Sequence, residues 1–354
     1  MTPFLLLNLP HVVLRELWNH FTLYELIILS FCSRKTRQLV KLNYNKSRQS
    51  YMGLNGEKEP LELSFRNLVK EYSFLSVRKS TDLKKNKKWE EVSIGGKTVP
   101  LVFHSSDEYE IYCEDQQVGI TMLVNYIFDV FGKTPNKVWA NPPFLWVLEL
   151  SKRKTDLTII NKPRGADEEE PMSEEEFKYV MKNSWNSNLY ISIPKSFLYS
   201  GPFENLESFV TSNPLWLSLE NLFTMGETIS GIVLTKNTNF TIKDINAFIK
   251  HWFNNNMRKF RSLFIKIENP TAGELYEGLE DHMITVEQSI HFEGVDLSCY
   301  SPAGISVLRR SDGMIAATVE AREGYSLMCV WKDIDSCCQK IETNQPTHGR
   351  LRNI

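Results

Sequence analysis

No uninterrupted apolar run in this 354-residue chain approaches the ~20 residues that a membrane-crossing helix needs. The longest, around Phe4–Leu7 and Leu26–Cys32, are far shorter, so no membrane span is expected. The first residues lack a positively charged start, Pro10 interrupts them, and Arg15 and Glu16 follow soon after. They are therefore not read as a secretory signal. Cysteine is sparse. Of the six, only Cys337 and Cys338 are close in sequence, and no C-x-x-C pair occurs, which excludes a zinc ribbon and a thioredoxin-like centre. The cysteines are expected as reduced thiols of an intracellular protein of the cytoplasm and/or nucleus. Charge of one sign is lacking too. A formal net charge of −2 gives no overall basic field for nucleic acid or anionic lipid.

Catalytic signatures are missing in the same way. No G-x-G-x-x-G, G-x-S-x-G or H-E-x-x-H is present. Gly95-Gly96-Lys97-Thr98 ends like a phosphate loop, but Glu91 stands where its first glycine belongs, so it is read as a hairpin turn. The seven histidines are scattered, and the spacing of His282, His291 and Cys299 is not a recognised ligand pattern. No catalytic, cofactor-binding or metal-binding residue is assigned, and the chain is expected not to be an enzyme.

What the chain does have is core-forming material: 42% apolar and 12% aromatic residues, enough for two domains, or one large domain with a small appendage. In the first 43 residues, Leu9, Val13, Leu14, Leu17, Trp18 and Phe21 recur at helical spacing after Pro10. Thr22 and Glu25 form a capping box for a second helix carrying Leu23, Leu26, Ile27 and Leu29. A third helix is expected from Ser33. Three helices of about ten residues are marginal alone. A unit of about 40 residues without a metal or disulfide needs a partner, either the rest of the chain or another protein.

Strand and turn signals follow. Tyr51–Leu54 with Leu61–Phe65, and Val92–Ile94 with Val99–Phe103 around Gly95-Gly96, read as hairpins. Tyr72–Val77 and Tyr109–Cys113 read as strands. The basic run Lys84–Lys88 reads first as a solvated loop, with a phosphate-binding patch as the alternative. Val118–Phe131 is an apolar-striped helix, Leu157–Ile160 a strand, and Ser173 with Glu176 caps another helix before a strand at Leu189–Ile193. The clearest unit is Ile232–Ile267. A short strand, a helix started by Thr241 and Asp244 with a stripe from Ile242 to Phe253, and the strand Leu263–Ile267 make a β-α-β segment, most simply parallel. The stretch from Leu157 to Ile193 allows a similar unit. Strands at Gly304–Arg309, Ala316–Val319 and Leu327–Trp331 enclose a turn at Ser311-Asp312-Gly313, and the tail after Lys340 is polar. The fold class is α+β: short helices, then a mixed α/β domain with hairpins and at least one strand-helix-strand unit, compatible with a leucine-rich-repeat-like arc although no consensus repeat is visible.

Two stretches resemble known families. Leu9-Pro10, Leu14 and Leu17, then Leu26 and Leu29, and Cys32-Ser33-Arg34-Lys35 leading into Leu39-Val40, resemble an F-box, with His11 and Val12 where many F-boxes carry an acidic residue. Phe240–Trp252, Leu263-Phe264-Ile265, Leu308–Gly313 and Met328–Trp331 resemble the type 2 F-box-associated domain of nematode F-box proteins. The resemblance implies an F-box at 3–48, an associated substrate-recognition domain at 49–338 and a tail at 339–354. It implies docking to the Skp adaptor, and through it to a cullin, by Leu9, Pro10, Leu14, Leu17, Leu26 and Leu29. The expected function is an adaptor that recruits an unknown target protein to an SCF-type ubiquitin ligase. Two alternatives stay open: an F-box scaffold acting outside the ligase, and a small-molecule or nucleic-acid binding module using Lys84–Lys88.

Overall fold

A computed structural model describes residues 9–45, 51–57, 59–66, 72–151, 155–161, 171–199, 203, 206–236, 238–267, 270–287, 290–293, 297–301, 303–320, 325–331 and 350–351. The chain divides into two compact units, Met1–Ala166 and Asp167–Ile354. Among the described residues no helix is long and apolar enough to cross a membrane.

The first unit opens with α1 (His11–His20), α2 (Leu23–Phe31) and α3 (Arg34–Asn43). Strands β1 (Tyr51–Gly56), β2 (Leu61–Arg66), β3 (Tyr72–Lys79), β4 (Glu90–Ile94), β5 (Lys97–Ser105) and β6 (Glu108–Cys113) follow. After them come α4 (Gln116–Phe131), β7 (Lys137–Ala140) and β8 (Leu157–Asn161). The strand order is β8-β7-β1-β2-β3-β6-β5-β4. The β1–β2 and β4–β5 pairs are the expected antiparallel hairpins. Gly95 and Gly96 both take positive φ (58° and 85°), the backbone that a two-residue hairpin turn requires and that side chains with a Cβ resist. Helix α4 starts from Asp115, whose carboxylate accepts the Val118 amide, and ends on left-handed Gly132. Gly119 brings α4 close to the sheet. A Cβ there would lie 2.7 Å from Val77 Cγ1 and 2.8 Å from Cys113 Sγ.

In the second unit, α5 (Glu174–Asn183), β9 (Asn186–Tyr190), β10 (Ser208–Thr211), α6 (Leu219–Thr228), β11 (Gly231–Leu234), α7 (Ile242–Asn254) and β12 (Ser262–Lys266) come in turn. They are followed by α8 (Ala272–Leu275), β13 (Met283–Val286), β14 (Ile290–Glu293), β15 (Leu297–Ser301), β16 (Ile305–Arg309), β17 (Ile315–Glu320), β18 (Tyr325–Trp331) and β19 (Arg350–Leu351). Strands β9, β10, β11 and β12 lie side by side, parallel and in chain order. Successive strand-helix steps of this kind are what a repeat solenoid uses, and the likeness to such an arc ends with this strand order. The sheet then turns antiparallel through β18, β17, β16 and β13, while β14, β15 and β19 form a separate small sheet. Strands β10, β11 and β12 are buried on both sides, as parallel strands covered by helices are, while β9 alternates between buried and half-buried residues. One face carries Val210, Val233 and Phe264, continuous with Ile315, Ala317, Leu327 and Cys329.

The β-α-β reading of Ile232–Ile267 holds, with β11 and β12 parallel. Three expectations need adjustment. The strand read at Leu189–Ile193 begins earlier, at Asn186, and ends at Tyr190. Val13, read into the apolar stripe of the first helix, is exposed. In the polar tail, Arg350–Leu351 pairs with β15, while residues 332–349 lie outside the described part. Strands β7 and β10 and helix α6 had no counterpart in the sequence reading, although Ser218 and Asn221 make a capping box for α6.

Candidate docking surface

The three N-terminal helices are set by their ends. At α2, Thr22 Oγ1 accepts the Glu25 amide at 3.2 Å, while Glu25 accepts the Thr22 amide at 2.7 Å. Ser33 Oγ accepts the Thr36 amide and starts α3 one residue after α2 is capped by Cys32. Such tight junctions force the helices to fold back on one another.

Their inner surfaces are covered by the rest of the first unit. Leu26 and Ile27 are fully buried, and Tyr24, Phe31, Trp18 and Val40 are buried with them. Phe31 packs on Tyr126 of α4 with ring centres 5.4 Å apart. Tyr44 meets Phe131 edge-on at 5.0 Å. The Tyr126 hydroxyl lies 2.8 Å from Ser30 Oγ and 3.1 Å from the Ser30 carbonyl, donating toward both. Burial pushes the Tyr126 phenol pKa up. On the sheet side, Tyr24 donates to the Phe74 carbonyl at 3.3 Å and its ring packs against Phe65. Lys41 reaches Asp129 at 2.8 Å, an exposed pair worth little in itself.

The outer surfaces are different. Val12 is 64% exposed and Leu42 81%, and Val13 is exposed as well. Of the six residues that the F-box resemblance points to, Leu14 and Leu26 are internal. Pro10 is exposed, and Leu9, Leu17 and Leu29 are half-buried. The helices thus hold two classes of apolar side chain: one closes the unit, the other remains within reach of a partner. Periodicity alone did not separate them, because both recur at helical spacing.

Beside α2 runs an open groove of about 1050 Å³ whose lining includes Ile28, Phe31, Trp89, Val92, Leu101 and Phe103. Cys32 lies on its wall, its thiol pKa raised by burial and then by Glu90. Spanning β3, β6 and β5 is a charged cluster that sequence reading did not find. Glu110 is buried and accepts hydrogen bonds from Tyr112 Oη at 2.6 Å, His104 Nε2 at 2.6 Å, Lys87 Nζ at 3.2 Å and Arg78 Nε. Burial alone would raise its pKa, but the bonds from Tyr112, His104, Arg78 and Lys87 outweigh it and bring the carboxyl down to about 2. Lys87 is therefore used inside the fold, while Lys84, Lys85 and Lys88 are exposed, as a solvated loop requires.

In the second unit, α6 and α7 alternate with β10, β11 and β12. Thr241 and Asp244 satisfy each other's amides at the start of α7. The buried Asn246 on α7 donates to the Leu275 and Glu277 carbonyls at 2.9 and 3.1 Å, securing the segment after β12. His251, on the polar side of the same helix, meets Glu227 at 2.9 Å and stacks on Phe223.

Comparison with known families divides the chain along these same elements. Residues 6–48, which hold α1 to α3, match the F-box domain. Residues 202–265, which hold β10 to β12 with α6 and α7, match the F-box associated family. No curated protein and no solved structure matches the chain. The chain thus carries an N-terminal F-box and, C-terminal to it, an F-box-associated domain.

Proposed function

We propose that this chain is a non-catalytic, substrate-recruiting adaptor subunit of an SCF-type cullin–RING ubiquitin ligase. Residues 3–48 dock on the Skp adaptor, which joins the cullin. Residues 49–338 supply target recognition, with 339–354 as a tail. The single observation that carries the reading is the surface of the F-box helices: Val12, Val13 and Leu42 stand in water, with Leu9, Leu17 and Leu29 half-buried beside them, within a segment that matches an F-box. Exposed apolar side chains gathered on one small module are what a protein partner covers. Leu9, Pro10, Leu17 and Leu29 make the contact, and Leu14 and Leu26 hold the helices that present it. Such a receptor needs no active site. It holds its target beside the charged ubiquitin carrier, so its contribution to rate is proximity. The chain then works in the cytoplasm and/or nucleus, where the ligase scaffold operates.

The test is co-purification with the Skp adaptor of the native chain and a Leu9→Ala, Pro10→Ala double variant matched by circular dichroism. The expected outcome is capture by the native chain and loss of capture by the variant. Failure of the native chain to capture the adaptor overturns the reading. Capture without cullin-dependent loss of any target points instead to a scaffold outside the ligase.

A further inference from the structure

At the carboxyl ends of β10, β11 and β12 the second unit has a cleft of about 430 Å³. The loop that leaves β10 supplies Ser212 and Asn213, and the loop that leaves β11 supplies Thr235 and Lys236. Lys266 stands at the end of β12, and Tyr325, its cross-strand partner, begins β18. The parallel register of β10, β11 and β12, together with the antiparallel β12–β18 pair, brings together residues spread from 212 to 325 in sequence.

The charge that the described residues bring to this cleft has one sign. Among the described residues its lining contains two lysines and no acidic residue. Among the described residues neither Lys236 nor Lys266 makes an ion pair. Among the described residues, the other lysines that approach carboxylates do so on open surface or inside the Glu110 cluster. The much larger groove beside α2 mixes Lys87 and Lys88 with Glu90 and Glu91, so its charge selects no class of ligand.

The cleft is also held in place. The Tyr325 ring stacks on Phe264 at 4.7 Å and 10°, and its hydroxyl donates to the Thr235 carbonyl. Lys266 Nζ lies 5.9 Å from the Tyr325 ring centre. Thr235 is fixed by its amide to the Thr211 carbonyl at 3.0 Å, and Asn213 by its amide to Thr211 Oγ1 at 3.2 Å and by its side chain to Ser192 at 3.3 Å. The hydrogens of Tyr325 and of the Asn213 and Thr235 amides are thus spent on the fold. The ammonium groups of Lys236 and Lys266 remain as donors for a ligand. Two lysines lining a small polar cleft with a fixed floor suit an anion.

We infer that this cleft receives an anionic side chain of the target protein, a carboxylate or a phosphorylated hydroxyl, held between Lys236 and Lys266. The inference deepens the recruitment reading and rests on it for the identity of the ligand as part of a target. Loops at the ends of a rigid sheet are where binding residues are most often placed. The two sources share one chemistry and differ in charge and oxygen count, so a direct comparison separates them.

The experiment uses the full chain and three fluorescein-labelled decapeptides on a common Gly/Ser/Ala backbone: one with three glutamates, one with a single phosphoserine, one uncharged. Binding is read by fluorescence anisotropy at low and at raised salt. At least one anionic peptide is expected to bind, and the uncharged peptide is not. The better binder names the source. A Lys236→Ala, Lys266→Ala double variant is expected to weaken binding tenfold or more, and added salt to weaken native binding, since exposed charges are screened. Equal binding by native chain and double variant overturns the inference, as does binding of neither anionic peptide above the uncharged control. Adaptor capture is measured on the same preparations. Capture with no anionic-peptide binding removes this site and leaves recruitment standing. Lysine-dependent peptide binding without capture supports the site and removes the ligase reading.

Discussion

Arg310 lies over the ring of Trp252, with its guanidinium carbon 5.0 Å from the ring centre, and donates through Nη1 to the Trp252 carbonyl at 2.9 Å. It also donates to the Asn255 carbonyl and grips Asp312 through Nε and Nη2, at 2.9 and 2.6 Å. One side chain, only 6% exposed, thereby joins the β16–β17 turn to the last turn of α7, whose final carbonyls lack helical partners. The Asp312 carboxyl is held below its ordinary pKa, chiefly by the hydrogen bonds from Arg310.

Arg310→Ala is therefore expected to destabilise the second unit by about 2–4 kcal/mol, because it strands the buried Trp252 carbonyl and removes packing on the Trp252 ring. Arg310→Lys keeps the charge but loses the forked geometry, so it is expected to recover less than half of that. Urea unfolding followed by tryptophan fluorescence measures both. A lysine variant as stable as the native chain would show that charge alone, without the fork, accounts for the joint.

Glu110 sets a pH dependence. Its folded pKa, about 2, lies below the ordinary 4.5, so the carboxylate contributes stability that is fully present above the ordinary value. That contribution is lost as pH falls from about 4.5 toward 2. Its size is on the order of 2–3 kcal/mol. Glu110→Gln should be less stable than the native chain at pH 7, and the gap should narrow by pH 3. Chemical unfolding at the two pH values gives the comparison, and an unchanged gap would remove the ion cluster as its source.

The five F-box leucine positions separate into two experimental classes. Leu26→Ala removes a side chain only 1% exposed and is expected to cost about 2–4 kcal/mol of stability. Leu14→Ala belongs to the same class. Leu9→Ala, Leu17→Ala and Leu29→Ala are expected to leave the unfolding midpoint nearly unchanged while reducing adaptor capture. Parallel thermal unfolding and capture assays measure both axes. Loss of capture that always tracks loss of stability would count against a separate contact surface.

Gly119→Ala opposes two effects. Alanine favours a helix interior over glycine by roughly 1 kcal/mol. The new methyl would press into Val77 and Cys113, both on strands under α4, and overpacking of that kind costs about 1–3 kcal/mol. A net loss of stability is expected. Gly273→Ala in α8 meets nothing within 4 Å and serves as the control, with little or no change. Equal midpoints for the two variants would mean that α4 shifts at no cost.

Much of the fold was legible because its signals are local. A capping box is complete within four residues, so Thr22 with Glu25, Ser173 with Glu176 and Thr241 with Asp244 declare helix starts from sequence. The Gly95-Gly96 pair does the same for the β4–β5 hairpin, since its positive φ angles suit few other residues. The apolar stripe of α7 between two short strands implied a parallel crossover, because such strands need a covered face. Leucine spacing in a segment too small to close its own core asked only for a cover, and the F-box was legible through the resemblance of Leu9-Pro10, Leu14, Leu17, Leu26 and Leu29 to that family.

The sequence by itself determined where α2, α5 and α7 begin, that the Gly95-Gly96 turn is tight, and that the N-terminal helices need something to cover them. Only the tertiary structure decided which of their leucines the chain covers for itself, since Leu17 and Leu26 occupy equivalent helical spacings and differ only in what packs against them. It likewise decided that Glu110 is buried among Arg78, Lys87, His104 and Tyr112, and that Lys236 and Lys266 share a cleft across parallel strands. The physical reason is the same in each case. Helix capping and turn conformation are settled within a few residues, whereas burial, charge pairing and cleft formation depend on which distant segments strand register sets side by side.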